Sequence, residues 1–154
     1  MRALTALQSV PPVPRWLGLA GAIPFMAGLV IFASGGLWII SADLALRATL
    51  GYGAVILSFL GGIRWGMALS LSNHEKRDAR LMLSVVPSLL GWVALLMPAF
   101  PALVLLAVAF AAQGAWDVGD AKDDGAPDWF STLRLMLTAL VCSFLSVTAV
   151  LTIT

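Results

Sequence analysis

Residues 52–72 read YGAVILSFLGGIRWGMALSLS. Crossing about 30 Å of hydrocarbon takes about 20 mostly apolar residues, and this run is long enough to do so. Yet Arg64 stands inside it, between Gly61-Gly62 and Gly66. A charge at the centre of a span costs about 2.5–3.5 kcal/mol on insertion scales. Arg64 therefore needs partners from other parts of the chain, and reading outward from it amounts to finding them.

The rest of the sequence has the same character. The chain has 154 residues, 60% of them hydrophobic and 11% charged. Soluble domains carry about 25% charged residues, and a globule this small could not bury so much apolar surface, because small bodies keep a large surface fraction. The bilayer is its natural solvent. The net charge of +1 argues against a nucleic-acid-binding protein, which would show a basic stripe. One cysteine, Cys142, excludes an internal disulfide, and one histidine, His74, leaves no His/Cys metal set. The opening MRALTALQSVPPVPR has only a short apolar stretch before PPVPR. It reads as an extended tail, not as a cleaved signal.

Five spans are expected, over about 16–34, 46–71, 81–97, 102–116 and 133–153. The third and fourth are short and read as one helical hairpin around Met97-Pro98-Ala99-Phe100-Pro101. No internal repeat is evident. The expected fold is all-α: a single transmembrane domain over 1–154, built as a compact five-helix bundle. Cytoplasmic loops are enriched in lysine and arginine. With a cytoplasmic N-terminus, Arg2, Arg15, Lys76, Arg77, Arg80, Lys122 and Arg134 fall inside and only Arg47 falls outside. The C-terminus is then periplasmic. Trp16, Trp38 and Trp116 lie at expected span ends, where an amphipathic ring prefers the interface.

Taken every fourth residue, the second span reads Ala54, Ser58, Gly62, Gly66 and Ser70, all small, with Gly61 alongside. Helices in lipid associate by close packing, and small-xxx-small faces permit it. These six positions are expected to form a helix-packing face, turned into the bundle in preference to a second chain. Arg64 borders that face, about six residues and so about 9 Å from the helix end. From there it can snorkel toward the interface.

Gln113 and Asp117 are four apart in the fourth span and at a similar depth, which puts them on one helix face. A carboxylate can accept a bidentate arginine contact. Arg64 is expected to pair with Asp117, with Gln113 completing the hydrogen bonds. Arg64, Trp65, Gln113 and Asp117 are the candidate ligand or ion-pair residues. Pro24 and Pro87 each remove a backbone donor within a span.

The loop DVGDAKDDGAPDWFSTLR holds a frame, Asp120-x-Lys122-x-Asp124-Gly125, that imitates a calcium loop. It fails, because Lys122 replaces a ligand and Ser131 stands where a bidentate glutamate is needed. The loop SNHEKRDAR is a polar connector whose bases suit anionic lipid. No metal site, resident cofactor or catalytic constellation is expected: there are no phosphate-cradling glycine loops, and Ser58, Ser70 and Ser143 have no activating base.

The pieces LGLAGAIPF, YGAVILSFLGGIRWG, LMLSVVPSLLGW, the Q-x-x-W-D of Gln113 to Asp117, and PDWFSTLRLMLT follow one another along nearly the whole chain. In this order they resemble a widespread bacterial membrane-protein family of unknown function, related to the mitochondrial transmembrane protein 69. The resemblance implies a multi-pass protein of a bacterial inner membrane and names no activity. In the family, Q-x-x-W-D is followed by basic residues, whereas this chain continues Val118-Gly119-Asp120.

Three functions are consistent with these residues. The first is a non-catalytic accessory or scaffold subunit packing onto a larger respiratory or photosynthetic membrane complex. The second is a binder of a small ligand (quinone, tetrapyrrole or lipid) near Arg64. A small transporter ranks last, because neither repeated halves nor paired broken helices are visible.

Overall fold

The computed structural model describes residues 9–121 and 125–154. Residues 1–8 and 122–124, with Arg2, Lys122 and Asp124 of the readings above, lie outside them. Five helices are long and apolar enough to cross a membrane: α1 (Pro12–Ala33), α2 (Ala42–Leu69), α3 (His74–Leu95), α4 (Ala99–Asp120) and α5 (Asp128–Leu151). Between α1 and α2 lies a small antiparallel hairpin, β1 (Gly36–Leu37) and β2 (Ile40–Ser41). Its two-residue strands are too short to carry an alternation signal, so hydropathy reads them as loop. Gly35 and Gly36 enter it at φ 76° and 121°, a region that glycine populates without steric cost. Trp38, expected at a span end, is at its tip at φ 56° and fully exposed.

Two helices run further than their apolar cores, because polar caps extend them. Asn73 accepts from the Lys76 amide at 3.0 Å and starts α3 well before the apolar run. Ser41 does the same for α2 through the Leu44 amide at 3.1 Å. Each satisfies an amide that a helix start otherwise leaves open. Pro127 precedes α5, with Asp128 in its first turn, where a carboxylate favours the positive end of the helix dipole.

The main neighbours are α2 with α3 and α4 with α5, while α1 lies against α2 and α5. Their shared core holds Phe25, Leu57, Leu103, Leu106 and Leu145, all buried. Phe25 meets Tyr52 and Phe110 edge-on at centroid distances of 5.1 and 5.7 Å. This aromatic group ties α1 to α2 and α4 near mid-bundle.

The face of α2 differs from the expected one. Ala54 and Gly61 are buried, but Ser58, Gly62, Gly66 and Ser70 are exposed. The reason is geometric. A helix turns about 100° per residue, so each step of four drifts by about 40°. A row that starts inward at Ala54 faces outward by Ser70. The inward face is instead Ala54, Leu57, Gly61, Arg64 and Ala68. Close approach is made at Gly61, beside the Ser84 carbonyl and Pro87 of α3, and at Gly91 of α3, beside Ala54.

Candidate functional site

Arg64 sits on the inward face of α2 and is 4% exposed. Its Nε donates to Oδ1 of Asp117 at 2.8 Å, and Gln113 Nε2 donates to the same oxygen at 2.9 Å. Gln113 and Asp117 meet because they are one turn apart on α4. The other carboxylate oxygen, Oδ2, faces Nε of Arg134 on α5 at 2.5 Å. One carboxylate thus bridges guanidinium groups from two helices.

A second layer lies one turn further along α4. Trp116 Nε1 donates to Oδ2 of Asp120 at 2.7 Å. Arg80 of α3 reaches that oxygen at 3.3 Å, and Arg64 Nη1 lies 3.6 Å from it. The Trp116 ring covers Arg64, with Cζ 4.5 Å from its centroid. A cation over an indole face gains about 0.5–2 kcal/mol, more where water is excluded.

Of the candidate residues, Arg64, Gln113 and Asp117 come together. Trp65 does not: it is 45% exposed and points away from the bundle. Neighbours in sequence are about 100° apart on a helix, so burying Arg64 turns Trp65 outward. Arg134, Arg80, Trp116 and Asp120 join the site without having been singled out for it. Arg134 reads as a loop-side charge and Trp116 as an interfacial ring until the helices are packed. The signals they offered were the Trp116/Asp120 spacing of four and the position of Arg134 one turn inside the start of an apolar run.

Beside the cluster is a cavity of about 300 Å³. Arg64, Asp117 and Arg134 supply its charged wall, and Phe59, Ile63, Trp129, Phe130 and Leu133 are among its apolar ones. A second cavity of about 180 Å³ runs toward Phe25 and Phe110, and it shares Phe59, Leu60, Arg134 and Leu137 with the first. Thr138 lines this second part. Arg134 Nη2 and Thr138 Oγ1 are buried and have no hydrogen-bond partner among the described residues. Leu17, Phe59 and Ile63 stand exposed along the rim, between α1 and α2.

Chemically the site offers donors, not nucleophiles. Guanidinium has only N–H groups, in a planar fork that fits carboxylate and phosphate. Asp117 and Gln113 are already engaged with one another and with the arginines.

Residues 10–150 match the family model described as Protein of unknown function (DUF3429). The chain is 37% identical over 140 residues to Transmembrane protein 69 of Xenopus tropicalis, covering 89% of this chain and 53% of that protein. It is 31% identical over 157 residues to Transmembrane protein 69 of Mus musculus, covering 96% of this chain and 60% of that protein. The chain thus spans little more than half the length of these relatives. No solved structure matches it. With nearly all of its bundle inside the matched segment, this chain belongs to the DUF3429 family of membrane proteins, to which Transmembrane protein 69 is related.

Proposed function

We propose that this chain is a non-catalytic protein of a bacterial inner membrane that takes a small anionic ligand from the lipid phase into the cavity between α1, α2 and α5. One observation carries the reading: Arg64 and Arg134, with Asp117 between them, line a cavity whose other walls are largely apolar and whose apolar rim is exposed. A neutral quinone offers carbonyl acceptors but no countercharge. An anionic lipid offers both. The excess of Lys and Arg at this end of the bundle supports a cytoplasmic location for the site, by the bias of cytoplasmic loops toward these residues.

The test uses the full chain in a mild detergent, titrated with palmitate and with cetyl alcohol and followed by native mass spectrometry. Palmitate is expected to bind and the alcohol to bind much more weakly. Arg134→Gln is expected to lower palmitate affinity about tenfold or more, the scale of one charge-assisted hydrogen bond. Equal binding of acid and alcohol by the wild type rejects the proposal.

A second reading, an accessory subunit docked on a larger membrane complex, is supported by the exposed row Ser58, Gly62, Gly66 and Ser70. A Cβ at Gly62 or Gly66 would meet nothing within 4 Å. The double variant Gly62→Leu/Gly66→Leu is therefore expected to fold with a stability change within about 1 kcal/mol, and slightly upward since glycine is a poor helix former. Under this reading it loses a larger partner that the wild type retains on gentle extraction. Co-extraction unchanged by the double variant removes this reading.

A further inference from the structure

Another flank of the bundle carries a groove between α3 and α4, separate from the cavity between α1, α2 and α5 and independent of the reading given for it. Its volume is about 270 Å³. Pro87 of α3 and Ala109 and Ala112 of α4 leave the space, and Leu83, Leu90 and Trp116 are among its other walls. Leu83 and Ala112 are exposed, so the groove opens outward, where the bilayer lies. Its length is that of one leaflet. From Arg80 to Leu90, α3 rises about 15 Å, half of the roughly 30 Å of hydrocarbon.

One end of this groove is basic. Lys76, Leu83 and Leu90 are spaced by seven, and seven residues bring a helix back to within about 20° of the same direction. Lys76, which is exposed, therefore heads the row of α3 that lines the groove. Between them Arg80 reaches Asp120 of α4 at 3.3 Å, one turn beyond Trp116. Behind this mouth Arg64, Arg80 and Arg134 share Asp117 and Asp120, three cations on two carboxylates. The acids of α3 lie elsewhere: Glu75 and Asp78 are about 100° and 160° round the helix from Lys76, and Asp78 is held by Arg77 at 3.2 Å. We infer that the α3/α4 groove binds one anionic phospholipid, with its phosphate at Lys76 in the field of the arginine cluster and one acyl chain lying along Leu83, Pro87 and Leu90. Trp116 then stands at the head-group end, the level an amphipathic ring prefers. A zwitterionic lipid fits the same groove but brings its own cation to a basic mouth, so the net charge of the head group decides between them.

The probes are dioleoyl phosphatidylglycerol and dioleoyl phosphatidylcholine, each titrated into the full chain in mild detergent and counted by native mass spectrometry. The wild type is expected to hold one phosphatidylglycerol about fivefold or more tightly than phosphatidylcholine, the effect of one basic residue near an anionic lipid. Lys76→Gln, at an exposed position, is expected to remove most of that preference and to leave phosphatidylcholine binding unchanged. Ala112→Phe fills the groove from an exposed position and is expected to weaken both lipids about tenfold. Equal binding of the two lipids by the wild type overturns the assignment, and that comparison needs no variant. If Ala112→Phe keeps the lipid while Arg134→Gln releases it, the lipid belongs to the other cavity and the assignment fails. A dimer that Ala112→Phe dissociates puts a second copy of the chain in the groove and overturns it as well.

Discussion

Asp117→Asn is expected to destabilise the folded protein by about 3–5 kcal/mol, the cost of stripping one partner from a buried ion pair. Two magnitudes compete here. A hydrogen bond between helices in a membrane averages only about 0.6 kcal/mol, with a maximum near 1.7. If the cluster were an ordinary polar contact, the substitution would cost no more than that. It is not ordinary, because Asp117 stands between Arg64 and Arg134, whose side chains are 4% and 11% exposed. An amide would leave two buried guanidinium groups facing one another with no shared carboxylate. The larger figure therefore applies to Asp117, while the smaller one applies to Gln113→Leu, which removes only a neutral donor. By the size scaling of thermal unfolding, Asp117→Asn corresponds to a drop in Tm of about 10 °C, measurable in detergent. A double-mutant cycle with Arg64→Met should give a coupling energy well above 0.5 kcal/mol. Additive single effects would show that the pair contributes nothing as a pair.

Neighbouring glycines provide the second test, since Gly61 and Gly62 differ only in which way they face. A Cβ at Gly61 would run into the Ser84 carbonyl and sit 3.6 Å from Pro87 Cβ, whereas one at Gly62 meets nothing within 4 Å. Overpacking of this kind costs about 1–3 kcal/mol or more, and backbone atoms of a packed helix cannot give way as a side chain can. Gly61→Val should therefore force α2 from α3 and lower thermal stability by about 3 kcal/mol. Gly62→Val should change it by less than 1 kcal/mol, near the propensity difference alone. Equal losses at the two positions would mean that α2 is rotated from the orientation described.

The spans and part of the site could be read before any helix was packed. Arg64, Gln113 and Asp117 were legible together because each carried a depth: six residues from a helix end for one, a spacing of four for the others. Depth is set by matching apolar length to hydrocarbon thickness, and that matching is written residue by residue. Trp65 and the row from Ser58 to Ser70 were misplaced for the opposite reason. Their faces depend on rotation about the helix axis, and small drifts in an i, i+4 row accumulate to half a turn over four steps. Arg134 was not legible as a site residue, because before the helices are packed nothing separates it from an ordinary charge at a span end.

Composition and hydropathy alone read as a chain that dissolves in lipid as five helical crossings, and residue spacing and depth pair an arginine in the second with acid and amide groups in the fourth. Which side of each helix meets another helix, which arginine shares the carboxylate, and where a cavity opens beside it emerge only when the helices are assembled. The reason is that lipid tails are as apolar as a protein core. A residue facing either one has the same hydropathy, so the pattern that marks a buried face in water carries no mark of it here.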